Sequence, residues 1–310
     1  MKLAYLYTKS ELTPWKENIH LQTLQYLQNN TPESLFSDVI HFDGFTESMA
    51  DVLHQYDLVF NLCYGYGTAG QVEVAQWLEN HNIPHTASSS KAMATAQNKA
   101  LLPEICRQLG LATPALEVNP DGLHNNEIYL AKPRLGSCHR DITIHSGQWM
   151  KENQQLLVND CIIQPYIFGR EFSVAVIPAP GGRYSHGLPP IEICSEDQST
   201  IFVAGQSFGP TYRNLAPKLK ESLVDDLMEA AEKLHRFIGL RGMSRTDFRV
   251  DQSGNIFVLD VNAMPNLDPE KSLLPAICQH HGIQMKDVIQ RILDNYYCHQ
   301  KIAHIMPAIA

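Results

Sequence analysis

The chain has 310 residues, of which 44% are hydrophobic and 18% charged, and a formal net charge of −9. That length supports two or three compact units with a sizeable core, and the composition is that of a folded chain rather than a disordered one. The negative balance argues against a general nucleic-acid or anionic-membrane binder, and no apolar run reaches bilayer-spanning length. The amino terminus, Met1–Tyr7, reads as a buried strand without the apolar region and cleavage site of a signal peptide. Seven cysteines, at 63, 106, 138, 161, 194, 278 and 298, are scattered, odd in number and without a Cys-x-x-Cys pair, so reduced thiols in the cytoplasm are expected. Cys278, His280 and His281 lack a second half-site at finger spacing, and a helix would spread them around its circumference, so zinc is not expected.

The first eighty-odd residues read β-α-β-α-β: strand Lys2–Tyr7, amphipathic helix 17–29, strand Asp38–Phe42, short helix Met49–His54 and strand Asp57–Leu62. A loop, Cys63–Gly70, leads into a helix ending near Glu79. This alternation predicts a parallel sheet covered by helices, with ligands at the carboxyl ends of the strands. Ile83–Thr86 is a short strand. Ser88–Ser90 supply capping hydroxyls, and helices at Lys91–Gln97 and Ala100–Leu109 follow, the second ended by Gly110. Strands are expected at Leu116–Val118, Tyr129–Lys132, Ile142–His145, Cys161–Gln164, Glu171–Val176 and Tyr184–Glu192, the last two joined by an Ala179-Pro180-Gly181-Gly182 turn. Residues 195–213 are polar and Gly-punctuated, which predicts a mobile loop. Lys218–Ile238 has helical periodicity, and a terminal helix is expected near Met285–Tyr297.

Between those last helices, Arg245–Asp251 and Ile256–Asn262 flank a polar Gln252-Ser253-Gly254-Asn255 turn and form a predicted hairpin. With the four turn residues unpaired, Asp247 lies opposite Asp260 and Arg245 opposite Asn262. One face then carries two carboxylates, an amide oxygen and a guanidinium, with Val258, Leu259 and Val261 among them. Oxygen ligands of this kind suit Mg²⁺ holding a nucleotide phosphate, whereas the plainer reading is a solvated face with a surface ion pair. Lys132 sits inside an apolar strand before Pro133, where a charge without an anionic partner is costly.

Five segments in order resemble the D-alanine–D-alanine ligases of the ATP-grasp superfamily, over roughly residues 55 to 280. Phe60–Gly65 through Gly70-Gln71, with Ile83–Thr86, resembles their first-domain boundary. Gln97-Asn98-Lys99-Ala100-Leu101 with Leu109–Pro114 resembles the Lys-bearing helix and Gly-x-x-Thr-Pro. Ala131-Lys132-Pro133 resembles the second ATP lysine, and Tyr166–Glu171 the nucleotide hinge. The hairpin with Ser272-Leu273-Leu274-Pro275 resembles the magnesium and substrate region. The resemblance implies an α/β fold, α+β in its ATP-binding part: an ATP-grasp fold with an amino-terminal Rossmann-like parallel-sheet domain. The implied units are 1–85, a central subdomain 86–175 and a carboxyl-terminal subdomain 176–310 carrying loop 195–213.

The resemblance implies an ATP-dependent carboxylate–amine ligase that forms an amide or dipeptide through an acyl phosphate. Lys99 and Lys132 would neutralise ATP phosphates, Gln164–Ile167 would bond the adenine through their backbone, and Glu171 would accept the ribose hydroxyls. Pro165 offers only its carbonyl there. Asp247, Asp260 and Asn262 would hold Mg²⁺, with Mn²⁺ as a substitute, and Arg245 would stabilise the tetrahedral centre. Ser272 would orient the second substrate's carboxylate, with Ser244 or backbone amides near Asn266 as helpers. Asn262→Ala is expected to impair metal-dependent turnover far more than folding, since an exposed amide adds little stability. The implied partners are amino-acid-like small molecules and a second copy in a homodimer, not nucleic acid or membrane.

Several positions depart from the family pattern. Asp260 replaces its glutamate, one methylene longer, and Asn266 replaces the glycine after Asn-x-x-Pro. The phosphate loop appears only as Gly136-Ser137-Cys138-His139-Arg140-Asp141. The Glu-bearing loop after the first strand reads Thr8-Lys9-Ser10-Glu11-Leu12, and the next acidic loop reads Thr68-Ala69-Gly70. Losing carboxylates that pair with an ammonium changes the chemistry, because a desolvated ammonium without a partner is expensive. A first substrate other than D-alanine is therefore expected. The alternatives are D-alanine–D-alanine ligase itself, in cell-wall precursor synthesis with Glu11 on the ammonium, and an ATP-binding protein with weak or no ligase activity.

Overall fold

A computed structural model describes residues 1–8, 17–65, 70–117, 119–135, 142–157, 160–195 and 211–305. Glu11, Thr68, the Gly136–Asp141 loop and most of the predicted loop 195–213 lie outside the described residues.

The chain begins with β1 (Lys2–Tyr7), α1 (Glu17–Asn29), β2 (Phe36–His41), α2 (Glu47–Leu53), β3 (Leu58–Asn61) and α3 (Gln71–Asn80). The three strands form a parallel sheet in the order β2-β1-β3, as the β-α-β-α-β alternation requires. Thr46 starts α2 by accepting from the Met49 amide at 3.2 Å. The expected strand at 83–86 reduces to one parallel bridge between Val59 and His85.

Next come α4 (Ser90–Gln97), capped by Ser89, a 3₁₀ turn (Lys99–Leu101), and α5 (Leu102–Leu109). Gly110 ends α5 at φ +68°, a left-handed position that favours glycine. A short antiparallel sheet follows from β4 (Ile128–Pro133), β5 (Thr143–Ser146), α6 (Gly147–Glu152) and β6 (Cys161–Pro165), with β4 central. The expected strand 116–118 contributes one bridge, Glu117 to Ile163.

The largest sheet contains β7 (Gly169–Pro178), β8 (Ser185–Gly187), β9 (Ile191–Ser195) and β10 (Thr211–Asn214). After α7 (Glu221–Ile238) it is completed by β11 (Ser244–Asp251) and β12 (Ile256–Asn262). Its order is β10-β9-β7-β11-β12, with β8 on β7. The single strand expected at 184–192 is two, because Pro189 and Pro190 cannot donate to a ladder. β10 begins inside the span 195–213 that was expected to be loop. The chain closes with α8 (Leu273–His280), which periodicity did not identify, and α9 (Met285–Ile305).

The expected boundary at 175/176 falls inside β7, which pairs with β11 from Gly169 to Val176. The change of sheet occurs instead between Pro165 and Gly169. Glycine is required there, since a Cβ at 169 would lie 2.1 Å from the Val250 carbonyl oxygen.

Period-two alternation divides the large sheet. Phe172, Val174, Val176, Phe248, Val250, Val258 and Val261 are buried in one cluster with residues of α4, α5 and α7. On the opposite face, Ala175, Ile177, Ile191 and Ile193 pack with β1, β3, α8 and α9. The same face carries the polar groups Glu171, Ser173, Arg245, Asp247, Arg249, Asp260 and Asn262, with Phe257 opposite Arg249.

Candidate active site

The register of β11 and β12 places Asp247 opposite Asp260 and Arg245 opposite Asn262, as expected, though by a different route. The turn is one residue tighter: Val250 pairs with Ile256, and the Asp251 amide bonds to the Asn255 carbonyl at 3.1 Å. A bulge at Leu259 then restores the predicted pairs. It also corrects the predicted face, because Val258 and Val261 both turn to the helix side while Asp260 and Asn262 stay on the polar one.

The bulge has a second consequence. Before it, the Val258 amide bonds to the Ala112 carbonyl at 2.8 Å, and its carbonyl accepts from the Thr113 hydroxyl at 2.8 Å. The segment after α5 thus covers the edge of β12. At the bulge the Leu259 carbonyl leaves the ladder and accepts from Lys132 Nζ at 3.0 Å. Lys132, from β4, thereby spans the space between the two antiparallel sheets. Burial lowers its pKa from 10.5 to about 8, with Asp260 acting against that shift, Lys99 adding to it, and Asp247 and Glu171 opposing it. The expected lysine pair and acidic hairpin therefore share one electrostatic environment. Lys99 is itself buried, at the start of the 3₁₀ turn, and its amide bonds to the Arg134 carbonyl at 3.1 Å.

Asp247 already holds a guanidinium. Arg245 Nε and Nη2 reach its two oxygens at 2.9 and 2.7 Å, and the Ser173 hydroxyl donates at 2.5 Å. Asn262 Oδ1 accepts from the Met264 amide at 3.0 Å, a local turn that carries the chain out of β12. Among the described residues no group of three His, Cys, Asp or Glu could hold a metal ion. The donor set here is two carboxylates and an amide oxygen, which fits Mg²⁺ completing its shell with phosphate and water.

The Met264 contact alters one expectation. Asn262→Ala removes a turn acceptor as well as the expected ligand, so a loss of about 1 kcal/mol in stability is expected beside the expected loss of turnover. Asn262→Asp keeps the acceptor and is expected to melt like the parent. Thermal melts paired with Mg²⁺ titrations of activity check this, and unchanged Mg²⁺ dependence in Asn262→Ala would remove the ligand role.

Towards the hinge, Glu171 is 6% exposed and pairs with Arg249 at 2.6 Å. Its chain neighbour Arg170 is not its partner and pairs with Glu192 at 2.6 Å instead. Gln164 is buried and its amide donates to the Pro114 carbonyl at 3.0 Å. The Ile167 carbonyl accepts from Arg249 at 3.1 Å. Arg249 was missed because an alternating strand gives no sign that a third basic or acidic residue on its polar face is buried.

Ser272 stands at the amino-terminal cap of α8, mostly buried, with its hydroxyl making no cap bond. Asp268 shapes the approach, accepting from the amides of Glu270 and Lys271 at 2.9 and 2.8 Å. Arg213 of β10 donates to the carbonyls of Glu270, Lys271 and Ser272, tying the strand after residues 196–210 to this loop. Sequence reading missed it too, since β10 lay in an expected loop. The loop 263–271 connects Ser272 to the end of β12. Ser244 does not belong to the site, because it is fully buried on the helix side and bonds to His235 at 2.8 Å.

Known proteins resemble this chain in sequence and in fold. The family model described as D-ala D-ala ligase C-terminus matches residues 150–294. A D-alanine–D-alanine ligase of Aquifex aeolicus is 30% identical over 252 residues, covering 76% of this chain and 81% of that protein. One from Anaeromyxobacter sp. (strain K) is 29% identical over 287 residues, covering 83% and 85%. The crystal structure of the Bacillus anthracis D-alanine–D-alanine ligase complexed with ATP is similar with a TM-score of 0.77 at 18% identity, covering 97% of this chain and 99% of that one. The VanG D-Ala:D-Ser ligase of Enterococcus faecalis gives 0.76 at 16% identity, covering 95% and 99%.

Proposed function

This chain belongs to the D-alanine–D-alanine ligase family of ATP-grasp carboxylate–amine ligases, and on that premise we propose that it joins two amino-acid-like substrates, the first of them not D-alanine. The observation that carries the ligase reading is the single polar face on which Lys132 meets the bulged Leu259 carbonyl beside the Asp247–Asp260 pair. The γ-phosphoryl group of ATP passes to a carboxylate oxygen of the first substrate and ADP leaves. The amine of the second substrate then attacks the acyl carbon, and phosphate leaves as the amide forms.

In this reading Lys99 and Lys132 hold the phosphates as compact cations. Asp247, Asp260 and Asn262 hold Mg²⁺, which when bound neutralises charge on the transferred group. Arg245 lies next to that site and stabilises the oxyanion of the tetrahedral centre. Ser272, with the amino terminus of α8, receives the second substrate's carboxylate. The hinge backbone from Gln164 to Ile167 takes the base and Glu171 the ribose.

The first-substrate proposal rests on residues: Thr68 and Ala69 stand where the family has acids, and Glu11 is displaced. We infer three units, with the second break at the hinge between Pro165 and Gly169. The six described cysteines are free thiols, which supports a cytoplasmic setting. No described helix is long and apolar enough to cross a membrane. A homodimer is the assembly we infer from the family.

D-alanine–D-alanine ligase itself is the second reading, favoured by the names of the relatives. Incubation with ATP, Mg²⁺ and pooled amino acids, with mass detection of products, separates the two. The expected result is ADP and a dipeptide from the pool, with no D-alanyl-D-alanine from D-alanine alone. Release of D-alanyl-D-alanine would establish the second reading, and ATP binding without stimulated ADP release would overturn both.

A further inference from the structure

We propose that Arg249 is a positioning residue that fixes the Glu171 carboxylate against the ribose of the bound nucleotide and thereby sets a preference for ribonucleotides over 2′-deoxyribonucleotides. The inference rests on the reading of Glu171 as the ribose acceptor.

Arg245, Asp247 and Arg249 alternate along β11 on the polar face, and Arg249 lies in register with Glu171. Arg249 is 3% exposed. Its Nη2 donates to Glu171 Oε2 at 2.6 Å, while Nη1 donates to the Tyr166 hydroxyl at 2.7 Å and the Ile167 carbonyl at 3.1 Å. It also lies over the Tyr166 ring, 5.0 Å from the centroid. One planar group therefore connects the carboxylate to the hinge that joins the two antiparallel sheets.

This geometry does more than pair charges. A buried carboxylate without a cation would take up a proton or rotate towards solvent. The guanidinium fork holds Glu171 in one orientation while bonding only Oε2, which leaves Oε1 for a ribose hydroxyl. Because the same fork grips the backbone of Ile167, base and ribose recognition share one rigid support. Lysine cannot reproduce this, being a point charge without a planar array of donors. Burial tends to lower the guanidinium's pKa, but Glu171 and Tyr166 outweigh it and keep the group above its ordinary value.

The test is equilibrium binding of ATP and 2′-deoxy-ATP, each with Mg²⁺, to the full chain and to Glu171→Gln, Arg249→Met and Arg249→Lys. Thermal melts accompany each variant. The parent is expected to bind ATP about tenfold more tightly than 2′-deoxy-ATP, the scale of one hydrogen bond to a charged group. Glu171→Gln, Arg249→Met and Arg249→Lys are each expected to reduce that ratio to about twofold. Arg249→Met leaves a lone buried carboxylate and is the variant most exposed to misfolding, whereas Arg249→Lys keeps the charge. A tenfold ratio retained in Arg249→Lys, with the ratio lost in Glu171→Gln, overturns the role of Arg249 and leaves the ribose reading standing. A ratio unchanged in Glu171→Gln, or absent from the parent, overturns the ribose reading and this inference with it.

Discussion

Replacing Arg245 by methionine is expected to lower kcat by about 10² to 10³ with little change in the KM for ATP. The range is that of removing one preorganised donor to a developing oxyanion. Arg245 is well placed for such work, since its side chain is 16% exposed and its orientation is fixed by the two-point fork on Asp247. A guanidinium held in advance need not reorganise when charge develops. Arg245→Lys keeps the charge but loses the fork, so its kcat is expected to fall nearly as far. Asp247 retains the Ser173 hydroxyl in both variants, which limits the structural damage. Steady-state rates with the substrates found in the amino-acid pool provide the measurement. A kcat within threefold of the parent would show that Arg245 serves Asp247 rather than the reaction.

Lys132→Met is expected to lower kcat/KM for ATP by about 10² to 10³, as when one partner of a buried charge pair is removed. Its melting temperature should change little, because the lost bond to Leu259 is offset by relief of a desolvated ammonium. The parent should also show a pH signature. Burial brings the Lys132 pKa down from 10.5 to about 8, so the free protein loses this proton before the unfolded chain does. Stability from this group consequently increases as pH rises from about 8 towards 10.5. ATP binding runs the other way, since the phosphates need the cation. Thus kcat/KM for ATP is expected to be level below about pH 8 and to fall by up to tenfold per unit above it. Bound phosphates hold the proton on, so kcat stays level further into the alkaline range. Lys132→Arg should lack the limb altogether, and a limb that persists there belongs to another group.

The candidate site was legible in the sequence where its chemistry is written in residue type and order. Lys99, Lys132, Glu171 and the acidic hairpin occur in an order that few folds share, and the structure brings Lys132 to the hairpin at Leu259, within electrostatic reach of Lys99 and Glu171. The parallel sheet of the first unit was likewise carried by β-α-β alternation, which needs only local hydrophobic period. Long-range partners were not legible. Arg170 and Arg249 are both plausible partners for Glu171 by type, and only the pairing of β7 with β11 and β9 decides that Arg249 takes it. Arg213 acquires its role from a strand that its polar, Gly-punctuated neighbourhood did not signal.

The hairpin separates the two kinds of information most clearly. Sequence alone determined that this protein carries an acidic, amide-bearing hairpin, whose residue types are those expected around a nucleotide's metal and phosphates. In Ile256–Asn262 strict alternation would have put Ile256 and Val258 on the same side as Asp260 and Asn262. Tertiary structure resolved that conflict with the bulge at Leu259, which sends Ile256, Val258 and Val261 to the helices and Asp260 and Asn262 to the opposite face. It also turned the Leu259 carbonyl to Lys132. The physical reason is that a strand's side-chain period is local, whereas the apolar face must meet a core and the polar groups a partner, and both of those lie elsewhere in the chain.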